Sequence, residues 1–521
     1  MDSSITVNAR GRWLDGLIDY VEAYPRRVFL AFSLLHVSLW TLLPSLLCPN
    51  PPMDILEGVA YGQEWQLGYW KHPPLVWWLD SFVYQIVGPN ISVFFLLGQL
   101  AVVIGFWAIW RLGCEILRPV EALLAVVLLD GCIGFNFDAI EFNHNPAQYP
   151  IWGLAAWSLY RAFILGRRMD WALTGLWFAV AFYTKYSVVT LLIPLLLFAV
   201  IDREARRAWK TPGPYLAMLV FTLLVAPNAV WVVQSHFSPL GFWEDRAPPV
   251  QGLVGLVGAI GTFLSNALLE IALVLVLFAA LQGRLWSLPS PAPTPTIPSE
   301  RFARRYVSTL ALGPVALALI VQGFSMRDFR YNWAEQFWLF SGLFLVLVWR
   351  PMISRAALHR FILAWAGVTI ALVLALVGGQ ASAAGGLHRT KFPGGRLATT
   401  VADEWHREFG RPLTYVVGNW WLAGNLTFFS TDRPHMFYDA SLRYSPWIDE
   451  GDVKRRGAVL LWLVEGQSSE MPEALRARFQ AAQPRDPLVL RSAGLFDEHI
   501  WRIGWAIVPP QTGPAVDTPH P

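Results

Sequence analysis

Runs of apolar residues recur along most of this chain, separated by short polar stretches. The first, Val28 to Leu47, carries no carboxylate, lysine or arginine. Others lie near 91–110, 119–136, 147–166, 171–184, 187–201, 213–233, 252–281, 306–324, 335–349 and 361–378. A bilayer crossing needs about 20 apolar residues, and a helix satisfies its own backbone in hydrocarbon. The pattern predicts an α-helical polytopic membrane protein with about 11–13 transmembrane helices. The stretch 75–88 fits either a juxtamembrane helix or part of a span. After residue 380 the period changes. "GRLATTVADEWHREF" (395–409) reads as an amphipathic helix, "LTYVVGN" as a strand, "WWLAGNLTFFS" as a helix and "RPHMFYDA" as a strand. "GAVLLWLV" and "HIWRIGWAIVPP" add strand candidates. Alternating helices and strands predict a small α/β domain over 380–508.

Composition agrees with a membrane chain. Charged residues make up 15% and hydrophobic residues 55%, against roughly 25% charged in soluble domains. The 27 Trp and 32 Phe suit interfacial belts and buried bundles. The first 25 residues are polar and mixed, without the apolar core and cleavage site of a signal peptide. Cys48, Cys114 and Cys132 show neither metal nor redox spacing and read as fillers at helix ends. Nothing points to a nucleic acid as partner.

Charge sets the expected orientation. With residues 1–27 in the cytoplasm, 19 arginines and lysines fall on the cytoplasmic side of the spans, and Arg161 snorkels there. Only Lys71, Lys185, Arg246, Arg327 and Arg330 fall opposite, and the other 15 of the 40 lie beyond residue 380. This places the 380–508 domain outside the cytoplasm. The Pro-rich stretch "SLPSPAPTPTIPSE" (287–300), within a cytoplasmic linker over 283–305, reads as an extended spacer. The tail 509–521 reads as disordered. Five cations against the topology rule are explained by an anionic ligand on that side.

The first outer loop, 48–90, concentrates the chemistry. Asp54 and Glu57 follow the first apolar run, and "GYWKHPPLVWWL" sets Lys71 and His72 before Pro73-Pro74, which favours a helix start. A cation, an imidazole and a helix N-terminus near a carboxylate suit a phosphate leaving group opposite a general base. A carboxylate at a membrane surface is also often merely solvated.

An acidic residue soon after the first span, followed by "GYWKHPPL", resembles the first periplasmic loop of the polytopic GT-C glycosyltransferases. The similarity is to the group that includes protein O-mannosyltransferases, lipid A aminoarabinose transferases and rhizobial lipopolysaccharide galacturonosyltransferases. It covers roughly 28–350. Family loops usually read Asp-Glu contiguously; here "DILEG" sets Glu57 three residues after Asp54. Asp54 is the favoured counterpart, with Glu57 as the substitute. The resemblance implies a GT-C-like catalytic domain over 28–378 and transfer of a sugar from a polyprenyl-phosphate donor. The acceptor would be an envelope glycolipid such as lipopolysaccharide, another glycan or a protein. It also implies a bacterial inner membrane, with the active site and C-terminal domain in the periplasm.

Other clusters each carry two readings. "DAIEFNHNP" offers Asp138, Glu141, Asn143, His144 and Asn145 for sugar hydroxyls, phosphate or a metal, or it is simply a turn before a helix. Lys185 splits a long apolar stretch; the resemblance implies a lipid-phosphate contact, and snorkelling is the rival. Arg327 and Arg330 are candidate phosphate clamps or members of local ion pairs. Tyr61, Tyr69, Tyr186 and Arg246 are further candidate substrate contacts. A divalent cation stays open, since His72, His144 and His236 lack linear metal spacing. The rival class is a transporter or lipid flippase, which expects mid-membrane charges and repeated halves; no repeat is visible.

Overall fold

The computed structural model describes residues 15–283, 298–382, 387–464, 469–492 and 499–511. The expected Pro-rich spacer lies outside these residues up to position 297, and the expected disordered tail lies outside them after Gln511.

After a helical stretch over 15–23, the helices in chain order are α1 (Pro25–Leu47), α2 (Met53–Gly62), α3 (Leu75–Val87), α4 (Ile91–Cys114) and α5 (Pro119–Leu129). They continue with α6 (Gln148–Leu165), α7 (Arg168–Thr184), α8 (Val189–Ile201), α9 (Gly213–Gln234) and α10 (Ser238–Arg246). Then follow α11 (Gly252–Gln282), α12 (Pro298–Ser325), α13 (Ser341–Trp349) and α14 (Arg355–Ser382). Each apolar run of the sequence forms helix over most of its length. Six helices among the described residues are long and apolar enough to cross a bilayer alone, namely α1, α4, α9, α11, α12 and α14. A seventh crossing results if α5 and the following Ile133–Ile140, bent by 90°, act together. The chain is a multi-pass membrane protein. The remaining runs are interrupted by their own sequence: Lys185 takes an extended conformation between α7 and α8, and a 3₁₀ segment, Tyr331–Phe340, replaces the first turns before α13.

The chain forms two compact units. The first comprises residues up to Pro44, Leu67–Leu75 and Phe95–Leu376. Its helices approach closely where side chains vanish. A β-carbon on Gly342 would overlap the carbonyl of Ala125 in α5, and one on Gly175 that of Ala217 in α9. The break after α5 exposes backbone carbonyls that lipid cannot satisfy. Asn136 repairs it, its Nδ2 donating to the carbonyls of Asp130 (2.8 Å) and Cys132 (2.9 Å). Asp130 is held in turn by His36 of α1 at 2.8 Å and by Trp365 Nε1 of α14 at 2.7 Å.

The second unit comprises Ser45–Gln66, Val76–Phe94 and Val377 onwards. Its sheet contains β1 (Tyr415–Gly418), β2 (His435–Tyr438), β3 (Ala458–Leu463), β4 (Gln483–Pro484), β5 (Leu488–Arg491) and β6 (Ile500–Val508). The order is β2-β1-β3-β6-β4, with β5 also on β6; β1 runs parallel to β2 and β3, and β6 antiparallel to its neighbours. Helix α15 (Gly394–Phe409) buries Leu397, Ala398, Val401, Ala402 and Trp405, one stripe at helical spacing. It ends on Gly410 at φ +62°, the left-handed position that favours glycine. Helix α16 (Trp420–Phe429) starts where Asn419 Oδ1 accepts the Leu422 N–H at 2.8 Å. It packs on α2, with Gly424 against Leu56. Helix α3, at 13 residues, falls short of a bilayer crossing and lies against α2, where Gly62 admits the Trp77 carbonyl. The small helices over 450–456 and 473–478 and the four-residue β5 carry too little periodicity to be anticipated.

Candidate active site

In the first unit, polar side chains gather around two interruptions of apolar helix. At the first, α7 stops and Lys185 adopts φ −162°, ψ 133° before a single 3₁₀ turn starts α8. The extended residue lets the chain change direction inside apolar surroundings. It leaves Lys185 only 9% exposed, with its ammonium hydrogen-bonded to Asn145 Oδ1. At the second, "FNHNP" folds as a turn: Asn143 Oδ1 accepts the Asn145 N–H at 2.8 Å. Asn145 Nδ2 donates to the Asn332 carbonyl at 2.8 Å, so one amide joins the lysine to the 3₁₀ segment before α13. This stretch is a turn before α6, and it aims an amide at a nearly buried cation.

His72 and His144 stack with ring centroids 3.9 Å apart and planes 29° apart. Burial, first, and then the positive charges of Lys71 and Lys185 hold both imidazoles well below their ordinary range; His72 is also depressed by His144. Both rings are thus neutral at neutral pH, and the cations beside them carry the positive charge. Phe242 of α10 meets His72 edge-on, 5.6 Å away, and the Arg246 guanidinium lies 5.6 Å from the Phe242 centroid. Tyr69 is fully buried, its N–H donating to the His72 carbonyl at 3.0 Å.

Tyr186 donates from its hydroxyl to Asn228 Oδ1 at 3.1 Å, and Asn228 Nδ2 donates to the Leu67 carbonyl at 2.7 Å. Asn228 is fully buried in α9 and ties the start of the Lys71 loop to the Lys185 break. A second polar layer contains acids. Glu270 of α11 accepts the Gly134 N–H at 2.5 Å and the Cys132 thiol at 3.1 Å. Tyr149 lies 3.4 Å from Glu335 and 3.2 Å from the Gly134 carbonyl. Asp138 and Glu141 are half-buried in the same loop region. Among the described residues, no three His, Cys, Asp or Glu side chains form a metal-binding group.

Arg327 donates to the carbonyls of Glu244 (2.9 Å) and Ala247 (2.8 Å), and its guanidinium lies 5.2 Å from the Trp243 centroid. It ties α10 to the segment after α12. Arg330 is exposed at the start of the 3₁₀ segment.

Asp54, Glu57 and Tyr61 all lie on α2 of the second unit. Asp54 is half-exposed in the first turn, and Glu57 is 2% exposed. Tyr61 is fully buried, stacked on Trp77 at 4.7 Å and edge-on to Trp447 at 5.3 Å. Sequence reasoning passed over Asn228, Glu270, Glu335 and Asp80. Each is a polar residue in an apolar stretch, and Glu270 is the sole carboxylate of the 31-residue α11. That isolation was the available signal.

Residues 71–231 match the family described as dolichyl-phosphate-mannose-protein mannosyltransferase. The lipopolysaccharide core galacturonosyltransferase RgtB of Rhizobium johnstonii is 22% identical over 496 residues, covering 90% of this chain and 95% of that protein. The crystal structure of ArnT from Cupriavidus metallidurans bound to undecaprenyl phosphate superposes with a TM-score of 0.50 at 14% identity. It covers 92% of this chain and 97% of that one. The likeness to ArnT is one of fold.

Proposed function

We infer that this chain, a member of the GT-C superfamily of polytopic glycosyltransferases, moves a sugar from a polyprenyl-phosphate donor to an envelope glycolipid. The observation that carries the reading is the buried Lys185–Asn145 pair beside Lys71 and two neutral histidines in an otherwise apolar helical body. Taking a lysine ammonium out of water is costly, and an anionic ligand beside it offsets part of that cost. A lipid phosphate supplies that anion. ArnT binds undecaprenyl phosphate in its crystal structure and RgtB is a lipopolysaccharide core galacturonosyltransferase, which supports a lipid-linked donor and a glycolipid acceptor here.

The proposed reaction is a single displacement with inversion. Asp54, or Glu57 in its place, takes the proton of an acceptor hydroxyl. The hydroxyl oxygen bonds to the anomeric carbon as the bond from that carbon to the phosphate oxygen breaks. The electron pair leaves with polyprenyl phosphate, whose added charge Lys71 and Lys185 neutralise. His72 and His144, kept neutral, serve as hydrogen-bonding groups and do not add to the charge. Asp138, Glu141 and Asn143 are the proposed sugar contacts, with Tyr186 set by Asn228. The membrane is a bacterial inner membrane, and the positive-inside count supports a periplasmic reaction face. The test is mass spectrometry of envelope lipids from a deletion strain complemented with wild type or Asp54→Asn. A glycolipid lighter by one sugar, restored by wild type alone, is expected. Full complementation by Asp54→Asn refutes Asp54 as the base.

A further inference from the structure

Asp80 takes no part in the arrangement above. It lies midway along α3 with no solvent exposure, and neither carboxyl oxygen has a hydrogen-bond partner. Its position follows from the seam between α2 and α3. On α2, Asp54, Gly58 and Gly62 recur every four residues and share one face. Glycine at 58 leaves a notch, and the Asp80 carboxyl fills it. Its Cγ lies 2.9 Å from where a β-carbon on residue 58 would stand. One turn further, the Trp77 carbonyl occupies the equivalent notch at Gly62. Asp54 sits one turn before Gly58, so the two carboxyl groups follow one another along the same seam.

Asp54 is the charged neighbour that acts on Asp80, and Arg389 contacts Met53 at the start of α2. Burial, first, and then the negative charge of Asp54 push the Asp80 carboxyl well above the usual carboxylate range. The other titratable groups on these elements are Glu57 and Tyr61 of α2 and Tyr84 of α3. Tyr84 donates to the Phe428 carbonyl at 2.6 Å, and the Arg433 guanidinium lies 4.5 Å from its ring centroid. Glu64, just past α2, is engaged with His435 at 2.8 Å. Helix α16, packed on α2, brings no titratable side chain.

Resting on the reading of Asp54 as general base, we propose that Asp80 is a positioning residue for it. The pair holds one proton, kept on buried Asp80, so that the negative charge is confined to half-exposed Asp54. During transfer the pair passes from one negative charge to none as Asp54 receives the acceptor's proton, and Asp80 keeps its own throughout. In alkali, loss of the Asp80 proton sets two negative charges on the α2–α3 seam and displaces the base. A pair whose surroundings separate the two ionisations in this way assigns the roles of its members.

The test uses the full chain in nanodiscs, with infrared difference spectra across pH. A parallel pH profile of kcat/KM is read as polyprenyl phosphate released from lipid-linked sugars of host membranes. A protonated carboxyl band is expected at neutral pH, absent in Asp80→Asn and in Asp80→Leu. In Asp54→Asn that band should persist but titrate at lower pH, by one unit or more. The Asp80→Asn profile should keep its acid limb while its alkaline limb moves up by about tenfold in proton concentration. A band indifferent to Asp54→Asn, or an Asp80→Asn profile superimposable on wild type, overturns the proposal. The spectra need no turnover, so they read the pair even if Asp54→Asn proves fully active and the base assignment fails.

Discussion

His72 stacks on His144 with ring centroids 3.9 Å apart, and both imidazoles are held neutral by burial and neighbouring cations. The unfolded chain protonates them near their ordinary value of 6.5, so the folded state binds fewer protons as pH falls. Their contribution is fully present above about pH 6.5 and is lost as pH drops toward the depressed folded values. Thermal unfolding in detergent should therefore show Tm falling as pH is lowered from 7 to 5. A His72→Gln, His144→Gln double variant should flatten that slope.

Lys185 donates to Asn145 Oδ1 and is nearly buried. Replacing it with Met removes a buried cation and should leave the protein folded. On the proposed mechanism, transfer should fall by about 100-fold or more, in line with loss of one transition-state charge partner. Asn145→Leu leaves the lysine without its amide. Its effect combined with Lys185→Met should be smaller than the sum of the two, because the pair acts together.

Asn228 satisfies the Leu67 carbonyl and the Tyr186 hydroxyl at once. Asn228→Leu leaves both without that amide and should cost about 1–3 kcal/mol for each buried group stranded. Tyr186→Phe removes one bond only and should cost about 1 kcal/mol. Denaturant midpoints in a single detergent distinguish the two, with Asn228→Leu the larger.

Asp130 joins three helices through His36 and Trp365. Asp130→Ala breaks both contacts inside the bundle and should cost about 3–5 kcal/mol, the range for a broken buried pair. It is expected to lower the yield of monodisperse protein, with Asp130→Asn intermediate. Equal yields for all three proteins would show that the triad does not hold the bundle.

Much of this was legible in the residues. The apolar runs gave the helices because in lipid they have little alternative, and alternation gave β1, β3 and β6. The lysine that split an apolar stretch at 185 marked a break, since a cation in mid-span is costly. What escaped prediction depends on long-range packing. The loop holding Asp54 is a helix because α3 and α16 cover it through Gly58, Gly62 and Gly424, a fit set by residues far apart in sequence. The role of Asn145 needed Lys185 forty positions away. The carbonyl bonds of Arg327 were hidden because an arginine beside carboxylates in sequence gives no hint that it will bond backbone instead.

The central claim, sugar transfer from a lipid phosphate, is tested most directly with purified protein in nanodiscs. It would be supplied with polyprenyl-phosphate sugars and glycolipids extracted from host membranes, and the products read by mass spectrometry. The account predicts free polyprenyl phosphate and a glycolipid heavier by one sugar, both strongly reduced in Lys185→Met. An unchanged donor, or a glycolipid that crosses the bilayer without gaining mass, would contradict it.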